Sequence, residues 1–333
     1  MKNYIYYLKT PPNARFHFGE VARESSLSSS STYAYSDTLW GALLHNAFLM
    51  HKEKAAQLVK AIDKNQVSLS SAFFYIEQKR RKVIFLPKPV IFNSVLSTSQ
   101  DVDPKKIKNV EMLSKGVWEA GYGAEDWFDE KKCQQLQGGK FICLKEEGEF
   151  ESNLKVYSKS VTPKNPISYT ENEDNNQKIY YQTDVFLHDN ESFTSGYYFL
   201  ARISLDHELS TFFNQCINSI ATFGLGGDRS TGAGQIIEIE KKKFKWSIEG
   251  NQLFSNISLL IPQNNNYREG YYKMILRGGQ NMNENKNLSY VHCIADGGVF
   301  NEEINGKIVE IGTEKLKSGV PYYAPINLKN IDL

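Results

Sequence analysis

The period of the hydrophobic positions changes several times along the chain, and each change marks an element. Tyr4 to Lys9 is a short aromatic-rich run stopped by Thr10-Pro11-Pro12, the pattern of a strand entering a turn. From Leu39 the apolar residues Leu39, Trp40, Leu43, Leu44, Ala47 and Phe48 recur at helical spacing. This predicts a helix with Ser36 or Asp37 accepting its first free amides. Ala55, Ala56, Leu58, Val59 and Ile62 predict a second helix. Two β-like runs follow, Val67 to Ile76 and Lys82 to Leu86, the latter closed by Pro87-Lys88-Pro89. Asn13 to Tyr35, with six serines between Ser25 and Ser31, is too polar to pack and reads as loop.

Regularity then fades. Gly116 to Glu191 shows little period beyond a strand at Lys140 to Leu144, and residues from about 90 to 195 read as an insertion dominated by loops. It returns with a strand at Tyr197 to Ser204. In Asp206 to Ala221, Leu209, Phe212, Phe213, Cys216, Ile217 and Ile220 line one helical face, with Asp206 as N-cap. Gln235 to Glu240 alternates as a strand does. Beyond Trp246 five strands are expected (near Gln252–Ile261, Tyr271–Arg277, Tyr290–Phe300, Lys307–Ile311 and Pro321–Leu328) with little helix. The order predicts an α+β protein with a mixed domain over 1–245 and a β-rich domain over 246–333.

A chain of 333 residues with 41% hydrophobic and 23% charged residues has the make-up of a globular protein with room for two cores. Its net charge of +1 gives no global attraction to nucleic acid or anionic lipid, so any polyanion must be held locally. The charge is segregated. Lys79 to Lys115 holds nine basic residues against three acidic, and Gly116 to Glu191 holds fifteen acidic against eight basic. Four scattered cysteines form no C-x-x-C pair and suit a reducing, cytoplasmic setting rather than zinc or a disulfide framework. The six histidines contain no HExxH or HxH, so no metal or cofactor is expected. The apolar run at the N-terminus is shorter than a signal-peptide core, and no stretch has the length of a membrane span.

The chemistry concentrates after the helix ending near Ala221, in Phe223-Gly-Leu-Gly-Gly-Asp-Arg-Ser-Thr-Gly-Ala-Gly234. Five glycines, Gly224, Gly226, Gly227, Gly232 and Gly234, let backbone amides approach an anion. Arg229, Ser230 and Thr231 add a cation and two hydroxyls. The segment lacks the lysine of a Walker loop and the third glycine of a dinucleotide fingerprint. It also runs from helix into strand, so no helix N-terminus faces the anion. This set suits the sugar-phosphate backbone of a nucleic acid.

These residues resemble the glycine-rich loop of the RAMP superfamily of CRISPR proteins. Five further segments are similar to the capping RAMP subunit of type III-A (Csm) effector complexes: Arg15-Phe-His-Phe-Gly19, Ser36-Asp-Thr-Leu-Trp-Gly-Ala42, Phe85-Leu-Pro-Lys-Pro89, Tyr272-Lys-Met-Ile-Leu-Arg-Gly-Gly279 and, near the end, Gly306-Lys-Ile-Val309. The stretch from about Lys105 to Tyr181 carries no likeness. The resemblance implies two ferredoxin-like (RRM-like) units, the second degenerate and β-rich, and a non-catalytic subunit that grips the 5′ handle of a CRISPR RNA. The implied site is the glycine loop with His17, Gly19, Ser36 and Thr38, together with a basic hairpin of Lys79, Arg80, Arg81 and Lys88. The implied partners are the large polymerase/cyclase-like subunit, the backbone RAMP subunit and, through guide pairing, the target RNA. His17 has an alternative role. Relatives that cleave CRISPR RNA place a catalytic histidine in this region, where it would take a 2′-OH proton without a metal. A nucleotide-binding enzyme is disfavoured by the missing lysine and the order of helix and strand.

Overall fold

The computed structural model describes residues 1–20, 28–93, 102–151, 153–165, 179–248, 253–281, 286–312 and 315–327. Ser25, Ser26, Gln252 and Leu328, which fall in the expected serine loop and C-terminal strands, lie outside the described residues. The chain opens with β1 (Lys2–Lys9) and β2 (Arg15–Phe16), then α1 (Ser36–Met50) and α2 (Lys52–Asp63). β3 (Val67–Leu69), β4 (Phe73–Gln78) and β5 (Arg81–Pro87) follow, then α3 (Pro104–Asn109), β6 (Met112–Ser114), α4 (Lys115–Ala120) and α5 (Ala124–Phe128). Next come β7 (Cys133–Leu136), β8 (Phe141–Leu144), β9 (Tyr157–Lys164), β10 (Tyr180–Leu187), β11 (Thr194–Ile203), α6 (His207–Phe223) and β12 (Glu238–Lys243).

One sheet of nine strands organises the molecule in the order β12-β1-β11-β4-β5-β6-β8-β7, with β3 also on β11. β12, β1, β11 and β4 pair antiparallel in turn. The chain crosses from β1 to β3–β4 through α1 and α2, and from β11 to β12 through α6. Tyr6 shows how a helix meets the sheet: its ring stacks on Phe199 at 4.9 Å and its hydroxyl donates to Asn214 of α6. Leu39, Leu43, Leu58, Phe213, Cys216 and Ile217 complete that layer fully buried.

The expected strand from Val67 to Ile76 is broken into two. Leu69 pairs with Ala201 but Phe73 with Tyr198, so one extra residue is accommodated as a bulge. The Ser70 hydroxyl accepts from the Leu200 amide, and Ser71 turns away to Asp296. Beyond the bulge the β4–β5 hairpin curls over the sheet. Lys82 on β5 reaches Glu240 on β12 at 2.8 Å although three strands lie between them in the order, and its ammonium sits 4.7 Å from the centre of the Tyr7 ring. The curl needs a glycine on β11: a Cβ at Gly196 would stand 2.5 Å from the Tyr75 ring.

Three expectations change here. The cap of α1 is Tyr35, without a side-chain hydrogen bond. The Ser36 hydroxyl instead accepts from the Leu259 amide, and Asp37 turns to Arg277 and Lys317. The insertion is structured: β6, β8 and β7 extend the main sheet, and β9–β10 pair with β2 in a second sheet. Its elements escaped the pattern because most are three to six residues long, and β9 is exposed along most of its length. The expected strand Tyr290–Phe300 is interrupted after Ile294, where Gly297 adopts φ +91° and packs against the Lys88 carbonyl.

Past residue 245 the described residues contain strands and no α-helix. The main hydrophobic core nevertheless runs across that point, because Ile257, Val299, Val320, Tyr322, Ala324 and Ile326 belong to it together with β1 and β11. Leu260, Ile294, Phe300, Ile304 and Tyr323 form a separate hydrophobic cluster past that point.

Candidate nucleic-acid interface

Gly224 ends α6 with φ +75°. Leu225, fully buried, anchors the loop and donates its amide to the Gly234 carbonyl. The closure depends on Gly234: it sits at φ +73°, and a Cβ there would overlap the Leu225 carbonyl oxygen. The strap is then tied down over β2. The Gly227 amide donates to the His17 carbonyl at 2.8 Å and the Gly234 amide to the Arg15 carbonyl at 2.7 Å.

A polar layer beneath the loop comes from the insertion. β2 pairs with β10, Phe16 opposite Val185, which brings Gln182, Thr183 and Asp184 under the strap. The Arg15 guanidinium donates to the Thr231 carbonyl and hydroxyl at 2.9 and 2.7 Å, and lies 3.4 Å from Asp184 and 3.6 Å from Asp228. The Gln182 amide donates to the Asp228 carboxylate at 2.7 Å. Burial pushes the Asp228 carboxyl up, but its hydrogen bonds from Gln182 and Thr231 and the Arg15 charge outweigh this and hold it below its ordinary value.

His17 lies between loop and insertion, 3% exposed. Its Nδ1 stands 2.8 Å from the Thr183 carbonyl oxygen. A carbonyl can only accept, so Nδ1 carries a proton and donates it there, with an Asp184 carboxylate oxygen 3.9 Å from the same nitrogen. The ring also packs against the loop, its Cδ2 3.1 Å from where a Gly227 Cβ would be.

The structure therefore brings His17 together with Gly224, Gly226, Gly227, Arg229, Ser230, Thr231, Gly232 and Gly234. Several of these groups are already engaged, Thr231 by Arg15 and most loop amides by internal bonds. The amides of Gly226, Asp228, Arg229 and Ser230 have no backbone partner among the described residues, and Arg229 and Ser230 are exposed. Gly19 is exposed and bridges to Ser30. Lys79 and Arg80 form the two-residue turn of the β4–β5 hairpin, both at positive φ, and with Arg81 they face solvent.

Other candidates stand apart from this constellation. Ser36 is buried between Ser71 and Leu259, and Thr38 contacts Asp37 beside it. Lys88 is buried, with its ammonium donating to the Ile107 carbonyl at 2.6 Å. Burial brings its pKa down to about 8, against a partial lift from Glu111. Gln182, Thr183, Asp184, Asp228 and Arg15 were not among the expected site residues. Arg15 and Asp228 lie inside quoted motifs and could have been singled out as charges, whereas nothing in the local pattern distinguishes Gln182 to Asp184.

No family model matches the chain. It is 25% identical over 317 residues to the CRISPR system protein Csm4 of Methanocaldococcus jannaschii, across 87% of this chain and 78% of that protein. Its fold matches a chain of the Csm3–Csm4 subcomplex of the type III-A CRISPR-Cas interference complex with a TM-score of 0.71 and 18% identity, covering 98% of this chain and 100% of that one. A chain of the Csm1–Csm4 cassette in complex with cA4 matches with a TM-score of 0.59 and 16% identity over 98% and 99%. Fold and sequence likeness thus agree on one class of protein, the subunits of type III-A CRISPR complexes, as what this chain is similar to. More narrowly the likeness is to Csm4, the component common to the three comparisons.

Proposed function

We propose that this chain is a non-catalytic assembly subunit of a type III-A CRISPR interference complex, which holds the 5′ handle of the CRISPR RNA at the glycine loop and links the large polymerase/cyclase-like subunit to the backbone RAMP subunit. Csm3–Csm4 and Csm1–Csm4 pairing in the similar structures supports the two partners, and the target RNA would be met through the guide. We read β12-β1-β11-β4 with α1 and α6 as a ferredoxin-like unit, and residues 246–333 as a second one reduced to strands. A cytoplasmic location accords with this reading.

The observation that carries it is the strap. Its fixed turn offers four amides, the Ser230 hydroxyl and the Arg229 guanidinium, the donors that phosphates and sugars accept from. The basic hairpin tip of Lys79, Arg80 and Arg81 would add phosphate contacts farther along the strand. His17 supports binding over catalysis, because a base must reach the proton it abstracts and this ring is buried with Nδ1 bound to a carbonyl.

The test is co-purification with tagged partner subunits and sequencing of the 5′ ends of the bound RNA. Wild type should retain RNAs sharing one 5′ handle, and Arg229→Ala with Gly226→Asp should lose them. RNA unaffected by those changes would make the loop purely structural. Cleavage of precursor RNA in EDTA, abolished by His17→Ala, would instead make the chain an endoribonuclease.

A further inference from the structure

Large apolar side chains exposed to solvent fall in a few places among the described residues, and one of them flanks the glycine loop. Phe223, the last residue of α6, is 50% exposed, and Ile237, where the chain leaves the loop, is 65% exposed. Arg229 adjoins Phe223. Its side chain runs back across Gly224, where a Cβ would stand 3.4 Å from the Arg229 Cδ, and its Nη1 donates to the Phe223 carbonyl at 3.2 Å. An exposed aromatic residue and an exposed guanidinium thus occupy neighbouring positions at the mouth of a loop with unpartnered amides.

Each of these groups fits a different part of one nucleotide. Guanidinium and amides match the phosphate, whereas an aromatic ring in water has no polar partner to satisfy and offers a π-face to a planar base. We propose that Phe223 is a stacking platform for one unpaired base of the bound RNA, the adjoining phosphate being held by Arg229 and the loop amides. This rests on the reading that the loop holds RNA and adds the residue that receives a base. Every base has a π-face, so the platform contributes affinity and positions the strand with little choice of sequence.

The experiment uses the reconstituted complex and handle RNAs carrying 4-thiouridine at one position at a time. In wild type, ultraviolet cross-linking at one handle position should map by mass spectrometry to the peptide containing Phe223. Phe223→Ala should weaken RNA binding about tenfold with an unchanged melting temperature, Phe223→Trp should restore it, and Phe223→Leu should not. RNA binding by Phe223→Ala within twofold of wild type, or full restoration by Phe223→Leu, would overturn the platform. If Arg229→Ala with Gly226→Asp releases the RNA while Phe223→Ala does not, the platform fails and the loop reading stands. A wild-type complex without RNA removes both.

Discussion

Asp37, in the first turn of α1, is gripped by Arg277 from 240 residues away: Nε and Nη2 donate to its two carboxylate oxygens at 3.0 and 2.9 Å. Lys317 adds a third contact at 2.6 Å, and the Arg277 guanidinium lies 4.7 Å from the centre of the Tyr35 ring. Burial pushes the Asp37 carboxyl up, but the two cations prevail and hold it well below the usual carboxylate range. This fork ties the start of the first helix to the C-terminal strands. Asp37→Ala leaves two cations buried without their anion, and unfolding in urea should show a loss of about 3–5 kcal/mol. Adding Arg277→Met should recover part of that loss. Equal stability of Asp37→Ala and wild type would mean the cluster contributes nothing.

Asp296 lies behind that cluster with the opposite bias. Burial above all, and Asp37 nearby, raise its pKa to about 7 against the pull of Ser71, Tyr33 and Arg277. A carboxyl that holds its proton more tightly when folded destabilises the fold as it ionises. Its contribution is most favourable below about pH 4 and declines as pH rises to about 7, by up to ~4 kcal/mol. Asp37 acts in reverse, losing its contribution as pH falls below the ordinary carboxylate range. Asp296→Asn should therefore flatten the stability profile between pH 4 and 7 and raise the melting temperature at pH 8, which differential scanning fluorimetry would detect.

The loop glycines should separate by geometry. Gly232 has φ +89° but open space where a Cβ would go, its nearest neighbour being Gln235 Nε2 at 3.9 Å. Gly232→Ala should cost about 1–2 kcal/mol of left-handed strain and leave RNA retention intact. Gly234→Ala adds an overlap with the Leu225 carbonyl, opens the neck of the strap and should abolish retention. Comparable behaviour of the two variants would contradict the described closure.

Part of this was legible in the chain because long, one-sided elements carry their period openly. α6, with Leu209 to Ile220 on one face and the Asp206 carboxylate accepting from the Leu209 amide, folds as its pattern predicts. The glycine loop was legible too, since its composition departs sharply from any packed element. Asp37 departs from the expected capping role because a carboxylate at a helix start has two uses, and only the tertiary pairing with Arg277 decides between them. Gln182 and Asp184 were invisible for another reason: their role depends on the register of β10 on β2, a contact between segments nearly 170 residues apart.

The basic hairpin offers a contrast within one charge run. Arg80→Gln with Arg81→Gln should leave stability within about 0.5 kcal/mol and reduce the salt dependence of RNA binding by the assembled complex. Lys88→Met should act on the fold alone, since its ammonium serves the Ile107 carbonyl inside the protein. Binding that is lost with Lys88→Met at unchanged stability would reverse this division.

The seat of the strap has a bearing on which changes the chain can absorb. The glycine loop rests on β2, β2 on β10, and the polar groups that steady it come from the Gln182 amide and the Asp184 carboxylate. A one-residue slip of β10 against β2 would turn Gln182 and Asp184 to the opposite face and leave Arg15 and Asp228 without them. The grip of the loop is thus set by the alignment of one strand pair, and intolerance of insertion or deletion is concentrated within β10 itself.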